Sequence, residues 1–138
     1  MGRPVYSGRM AANNAPNAIF LGEDERGIWI GASGHVRALT CFPLRDSVLA
    51  RIGRPGPSTG VTVDLSACVY MDSTFVGLLV AIDRALKRAG TRLRLLAPGQ
   101  TCREIFAQLG LEGILAAYEP GPWPVPPGAA LVSADRPP

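Results

Sequence analysis

The sequence predicts an α/β fold, a single domain with a mixed β-sheet backed by helices on one side. Three observations predict it. Short β-prone runs and helical periodicity succeed one another in the order β-β-α-β-α-β-α-β. The chain, at 138 residues, is long enough to bury one core without metal or disulfide staples. Its composition, 47% hydrophobic and 18% charged, is that of an ordinary globular protein.

The elements follow in order. Residues 1–17 are polar, lack the apolar run of a signal peptide, and read as a flexible arm. "AIFLG" (18–22) and "GIWIGAS" (27–33) are β-prone and flank the charged turn "EDER", which predicts a hairpin with a loop longer than the tightest class. "RALTCFPLRDSVLARI" carries Leu39, Phe42, Leu49 and Ile52 at helical intervals, and Pro43 places the start of regular helix near Cys41–Pro43. "GRPGPSTG" (53–60) is a connector, and "VTVDLS" (61–66) a buried central strand. An amphipathic helix is expected over 74–89: Phe75, Leu78, Leu79, Ile82 and Leu86 face the core, and Asp83, Arg84, Lys87 and Arg88 face away. Gly90 ends it. "TRLRLLA" (91–97) is the next strand, and Thr101-x-x-Glu104 has the pattern of a capping box opening a helix that stops at Gly110. "EGILAAYE" (112–119) closes the domain, expected over 18–119, and the Pro-rich stretch 120–138 reads as an extended, weakly ordered tail.

Composition removes several function classes. No apolar run approaches the roughly 20 residues a membrane helix needs, so a cytoplasmic location is expected. Cys41, Cys68 and Cys102 are scattered and include no C-x-x-C pair, which predicts reduced, buried thiols and neither a disulfide framework nor a metal site. The net charge is +3, yet the basic residues, arginine except for Lys87, are spread along the chain without interleaved aromatics, so no nucleic-acid partner is expected. The glycine-rich connector lacks the Gly-Lys-Ser/Thr ending of a phosphate loop. His35 is the one histidine and reads as a loop residue; Trp29 reads as core or sheet-face packing, and Trp123 as part of a linker-like tail.

The informative stretch is "YMDSTFVG" (70–77), where an apolar strand gives way to a helix. Asp72, Ser73 and Thr74 are all good N-cap residues, and a cap contributes about 1 kcal/mol. One cap needs one residue, however, and three polar residues stand here in a row. A strand-to-helix turn is also where partners engage an α/β sheet, and a helix N-terminus favours negative charge. The residues leave capping and function both open, with Ser73 able to serve as cap and as acceptor of a phosphate. A nucleophilic serine would need a base, and the turn is no G-x-S-x-G elbow, so no enzyme is expected. Asp64 and Asp72 read as turn and cap residues rather than as a Mg²⁺ or acid/base pair.

"VTVDLSACVYMDSTFVGLL" resembles the central signature of STAS domains, the fold of bacterial anti-sigma-factor antagonists. Asp64, Leu65 and Ser66 match its Asp-Leu-Ser strand end, and Asp72, Ser73, Thr74 and Gly77 match its Asp-Ser-Ser/Thr-Gly-Leu-Gly helix start. "TRLRLLAPGQTCREIFAQLGLEGIL" is similar to the following strand, short helix and turn, and the resemblance spans roughly 18–118. It implies a regulatory module without cofactor, phosphorylated at Ser73, or less favourably at Thr74, by a partner anti-sigma serine kinase of ATPase fold. Unphosphorylated, such an antagonist binds the kinase and frees its sigma factor; a PP2C-type phosphatase resets it. The partner surface implied comprises Asp64, Asp72, Ser73, Thr74, Phe75 and Gly77, with Asp64 at the sheet edge facing the kinase. Phe75 stands where the family has Gly and is expected to add bulk beside the hydroxyls. "GHVR" (34–37) also departs from the pattern, making His35 and Arg37 altered contacts, and the proline-rich tail replaces the C-terminal helix. The alternative role within the fold is an accessory subunit of a transporter ATPase or of a chemotaxis or sensor complex, with no phospho-switch.

Overall fold

In the computed structural model of the chain, residues 16–53, 60–111, 113, 118–119 and 125–134 are described. The N-terminal hairpin joins β1 (Ala18–Asp24) to β2 (Gly27–Val36). Pairing runs from Ala18↔Ser33 to Asp24↔Gly27, so the loop is the two residues Glu25–Arg26, tighter than the sequence suggests. Asp24 explains the difference. Its carboxylate accepts the Arg26 backbone N–H at 2.8 Å and the Arg26 guanidinium at 2.5 Å, folding the charged turn back on itself. Gly27 follows with φ +119°, a conformation side-chain-bearing residues rarely adopt.

The remaining elements are α1 (Ala38–Ile52), β3 (Val61–Met71), α2 (Ser73–Arg88), β4 (Leu93–Leu96), α3 (Gln100–Gln108), β5 (Tyr118–Glu119) and β6 (Ala130–Ala134). The sheet has six strands in the order β5-β4-β3-β2-β1-β6. β2, β3, β4 and β5 pair in parallel, and β1 pairs antiparallel with both β2 and β6. The mixed sheet is therefore as expected, with one addition. Part of the proline-rich tail is ordered: β6 pairs with β1, for example through Ala18↔Ala134, and covers an edge that would otherwise present unpaired backbone groups. Trp123 and residues 1–15 lie outside the described residues, as does 54–59 of the expected connector.

All three helices pack on one face. Their apolar sides (Leu44 and Val48 of α1; Phe75, Leu79 and Ile82 of α2; Phe106 of α3) form one core with Ile30, Val63, Leu65 and Leu95 from the strands. The alternation of a strand turns Trp29 to the opposite face, where it is buried with Ala18, Phe20 and Ala129.

Three local expectations need correction. α1 begins at Ala38 and runs through Pro43, and its buried residues are Thr40, Cys41, Leu44, Val48 and Ile52, while Leu39 and Phe42 point outward. Asp83 does not face away: it is buried, accepts the Leu93 N–H at 3.3 Å, and pairs with Lys87 at 3.1 Å, tying α2 to β4. Thr101-x-x-Glu104 forms no capping box, because the N-cap of α3 is Gly99 with no side-chain bond, and Glu104 instead accepts from Gln100. Of the expected closing segment 112–119, residues 112 and 114–117 lie outside the described residues, and Tyr118–Glu119 is the short strand β5.

Candidate functional site

The parallel strands β2 and β3 end at the same sheet edge, with His35↔Tyr70 and Val36↔Met71 as their last pairs. α1 and α2 leave from that edge, so their N-termini lie side by side. Asp72 stands between them. One carboxylate oxygen accepts the Phe75 N–H at 2.9 Å, which caps α2; the other accepts the Ala38 N–H at 2.9 Å, which caps α1. Its own N–H is bonded to the Val36 carbonyl at 3.0 Å. One side chain thus satisfies orphan donors of two helices, and the negative charge sits where both helix dipoles favour it.

This settles which polar residue does what. Asp72 is the cap; Ser73 and Thr74 are the first two residues of α2. The idea that Ser73 itself caps the helix is corrected. Both hydroxyl residues are exposed, and no hydrogen bond among the described residues engages their side chains. Gly77, one turn further, is exposed too.

Two residues of the expected partner surface lie elsewhere. Phe75 has no exposed surface and sits in the helix–sheet core, so it adds no bulk beside the hydroxyls and cannot itself meet a partner. Its ring follows the apolar periodicity of α2, which outweighs its place next to the hydroxyl pair. Asp64 is 2% exposed. Its carboxylate accepts the Ser66 N–H at 2.9 Å and the Ser66 hydroxyl at 2.6 Å, a local turn inside β3. Between Gly31↔Asp64 and Ser33↔Ala67 the strand β3 carries one extra residue relative to β2, and it gains a second between Cys68 and Tyr70. These bulges bend β3 and re-aim the residues that lead to Asp72. Asp64 therefore shapes the strand and does not face outward at the sheet edge.

Around the acceptor turn, His35 is half-buried with its ring 6.0 Å from that of Tyr70, and its N–H donates to the Asn17 side chain at 2.9 Å. Asn17 and the Pro16 carbonyl, which accepts from Ser33 at 2.6 Å, hold residues 16–17 to β2, so these two are not part of a free arm. Gly34 makes this possible: at φ +65° it lies against both, and a Cβ there would meet the Pro16 carbonyl oxygen at 2.8 Å. Arg37 is the exposed N-cap of α1. Cys41 is buried close by, its thiol pushed up by burial and by the Asp72 carboxylate, the opposite of an activated nucleophile. Further into the fold, the buried Cys102 thiol donates to the Cys68 carbonyl at 3.8 Å and the Cys68 thiol to the Tyr70 carbonyl at 3.5 Å, and the neighbouring Cys102 thiol together with burial pushes the Cys68 thiol up. Among the described residues, no group of three or more His, Cys, Asp or Glu is placed to hold a metal ion, and no helix is long and apolar enough to cross a membrane.

The feature that sequence reasoning missed is an apolar patch beside the turn: Leu39 is 77% exposed, Phe42 54% and Tyr70 42%. Leu39 and Phe42 carry the helical spacing of a core face, and only the true start and rotation of α1 reveal that they point outward.

With this geometry in place, comparison with known proteins is decisive. The family described as "Mlab, STAS domain" matches residues 19–116, most of the chain. The chain belongs to the STAS-domain family. Its structure is similar to that of the anti-sigma factor antagonist SpoIIAA in its unphosphorylated form, at 27% identity and TM-score 0.62, covering 70% of this chain and 84% of that one. The phosphorylated form of SpoIIAA from Bacillus gives 26% identity and TM-score 0.59, with 70% and 86% covered. An anti-sigma factor antagonist from Mycobacterium paratuberculosis shares the fold, at 21% identity and TM-score 0.54, with 69% and 79% covered. Among curated proteins none matches. The STAS sheet and helices thus carry Asp72, Ser73 and Thr74 at the start of α2, and β6 adds an edge strand outside the matched segment.

Proposed function

We propose that this STAS domain is an anti-sigma factor antagonist, a non-enzymatic binding module switched by phosphorylation of Ser73. The observation that carries the reading is the division of labour at α2. Asp72 holds both helix ends, so the exposed Ser73 hydroxyl is spare and can be modified without removing a cap. In the reaction, the Ser73 hydroxyl oxygen takes the terminal phosphoryl group of ATP in the partner kinase's site, releasing ADP and a proton. The product carries roughly −1.5 to −2 charge at a helix N-terminus, where the dipole and free N–H groups favour it within the fold. The same charge, buried against a partner that fits the unmodified turn, costs binding energy, and each ~1.4 kcal/mol is tenfold in affinity. Thr74 is the second acceptor, and a PP2C-type phosphatase restores the hydroxyl. The similarity to SpoIIAA, known in unphosphorylated and phosphorylated forms, supports the reading.

Among the described residues no base is hydrogen-bonded to Ser73, and burial and the Asp72 carboxylate push the Cys41 thiol up, so neither is an activated nucleophile. The test is direct. Incubation with the anti-sigma serine kinase of the same source and ATP, followed by mass-spectrometric mapping, places phosphate on Ser73. Phosphate on neither Ser73 nor Thr74 would overturn the proposal.

A second reading has an observation of its own. The exposed apolar residues Leu39 and Phe42 suit a lasting contact with a larger assembly, such as a transporter ATPase or a sensor complex, to which the domain is an accessory subunit. Under this reading a stable complex forms and is indifferent to Ser73→Asp.

A further inference from the structure

We infer that the seam between α1 and α2 is a docking track for an acidic amphipathic helix of a protein partner. The inference goes beyond the switch and does not depend on modification of Ser73. Because both helices leave the same sheet edge, they run side by side, and the crevice between them opens to solvent in two places. Near the N-termini a groove of about 210 Å³ has Phe42 and Arg45 on the α1 side and Thr74, Gly77 and Ala81 on the α2 side. Toward the C-termini a second depression of about 370 Å³ lies between Leu49 and Ile52 on one side and Ala85 and Arg88 on the other.

Shape, charge and exposure each select the occupant. Two successive depressions along a 16-residue helix, about 24 Å at 1.5 Å per residue, suit an elongated partner better than a compact ligand. The floor is low: a Cβ built on Gly77 meets nothing within 4 Å, so a partner side chain can approach the backbone of α2 there. Phe42, 54% exposed at the head of the track, is an apolar wall with no described neighbour covering it. Arg45 and Arg88 line the two depressions, Arg84 is exposed on the same side of α2 as Gly77, and among the described residues no carboxylate lines either depression. An apolar stripe flanked by acids, as on an amphipathic helix laid into a groove, matches this surface. A second copy of this chain is a poorer match, because it would set one basic face against another in a protein of net charge +3.

The experiment uses the full chain and a defined probe, a phage-displayed library of random 16-residue peptides selected on the wild-type protein. Enriched peptides are synthesised with fluorescein and their affinities measured by anisotropy. The inference expects Asp or Glu beside apolar residues at i, i+3, i+4 and i+7. It also expects at least tenfold weaker binding to Gly77→Trp and at least fivefold weaker binding to the double variant Arg45→Glu/Arg88→Glu. Ser73→Asp weakens binding less than the filled-groove variant does. Should Gly77→Trp lose its far-UV circular dichroism, Ala81→Trp fills the same groove. Absence of enrichment, a consensus without acids, or equal binding to the filled-groove variant would overturn it. So would loss on Ser73→Asp without loss on the filled groove, because that places the contact at the α2 N-terminus.

Discussion

Replacing Asp72 perturbs two helices at once, and the size of the effect follows from its two hydrogen bonds. The carboxylate accepts from Phe75 N–H and Ala38 N–H, each at 2.9 Å. Loss of an N-cap alone costs about 0.5–2 kcal/mol, and hydrogen bonds to a charged group contribute about 1.5–3 kcal/mol each. Since the residue is half-exposed and water partly replaces the lost acceptor, Asp72→Ala is expected to cost about 2–4 kcal/mol in total. Asp72→Asn separates this account from ordinary capping. At a usual cap Asn and Asp are equivalent. Here Asn offers one acceptor oxygen, and its amide group would turn a donor toward the second N–H, so about 1.5–3 kcal/mol is still lost. Urea unfolding followed by far-UV circular dichroism reads the change as a shift of midpoint at constant slope. An Asp72→Asn protein within about 0.5 kcal/mol of wild type would refute the double cap.

Other substitutions test the placement of neighbouring residues. Phe75→Ala, which empties a fully buried position, is expected to cost about 3–5 kcal/mol in the same unfolding assay; a change below about 1 kcal/mol would mean the ring is not in the core. Gly77→Ala adds a Cβ into open space inside a helix and should stabilise the protein by about 0.5–1 kcal/mol, and destabilisation would show that the space is filled. The Arg26 hydrogen bonds hold the Asp24 carboxyl below its ordinary 3.8. A lowered folded-state value means stability that is fully present above about pH 4 and lost as pH falls through the folded value, so Asp24→Asn should flatten the stability profile below pH 4 and leave its slope at neutral pH unchanged. A profile as steep below pH 4 in Asp24→Asn as in wild type would contradict this.

The parts of the fold that were legible in the sequence are those set by local periodicity. The apolar spacing of Phe75, Leu79, Ile82 and Leu86 places α2 to within a residue, and the Val-rich run before Asp64 marks the central strand. What was not legible depends on residues distant in sequence. The start of α1 is fixed by Asp72, 34 positions away, so Pro43 misplaces it, and with it the direction of Leu39 and Phe42. Asp83 looks like a surface charge until β4 brings Leu93 against it. β6 has no partner in its own neighbourhood; only β1, more than a hundred positions earlier, makes it a strand. At the site, the cluster itself was visible as Asp72, Ser73 and Thr74. Its internal assignment was not, because three adjacent residues can all cap, and geometry alone makes Asp72 the cap and leaves the Ser73 hydroxyl outside. Asp64 was grouped with it by motif and Phe75 by its place beside the hydroxyls, and burial separates both from it.

The switch is tested most directly by placing phosphoserine at position 73 during synthesis and measuring calorimetrically how the two forms bind the anti-sigma kinase. The account predicts that the unmodified chain binds and that the phosphorylated chain binds at least tenfold more weakly, about 1.4 kcal/mol or more. Equal affinities, with both chains folded, would contradict it.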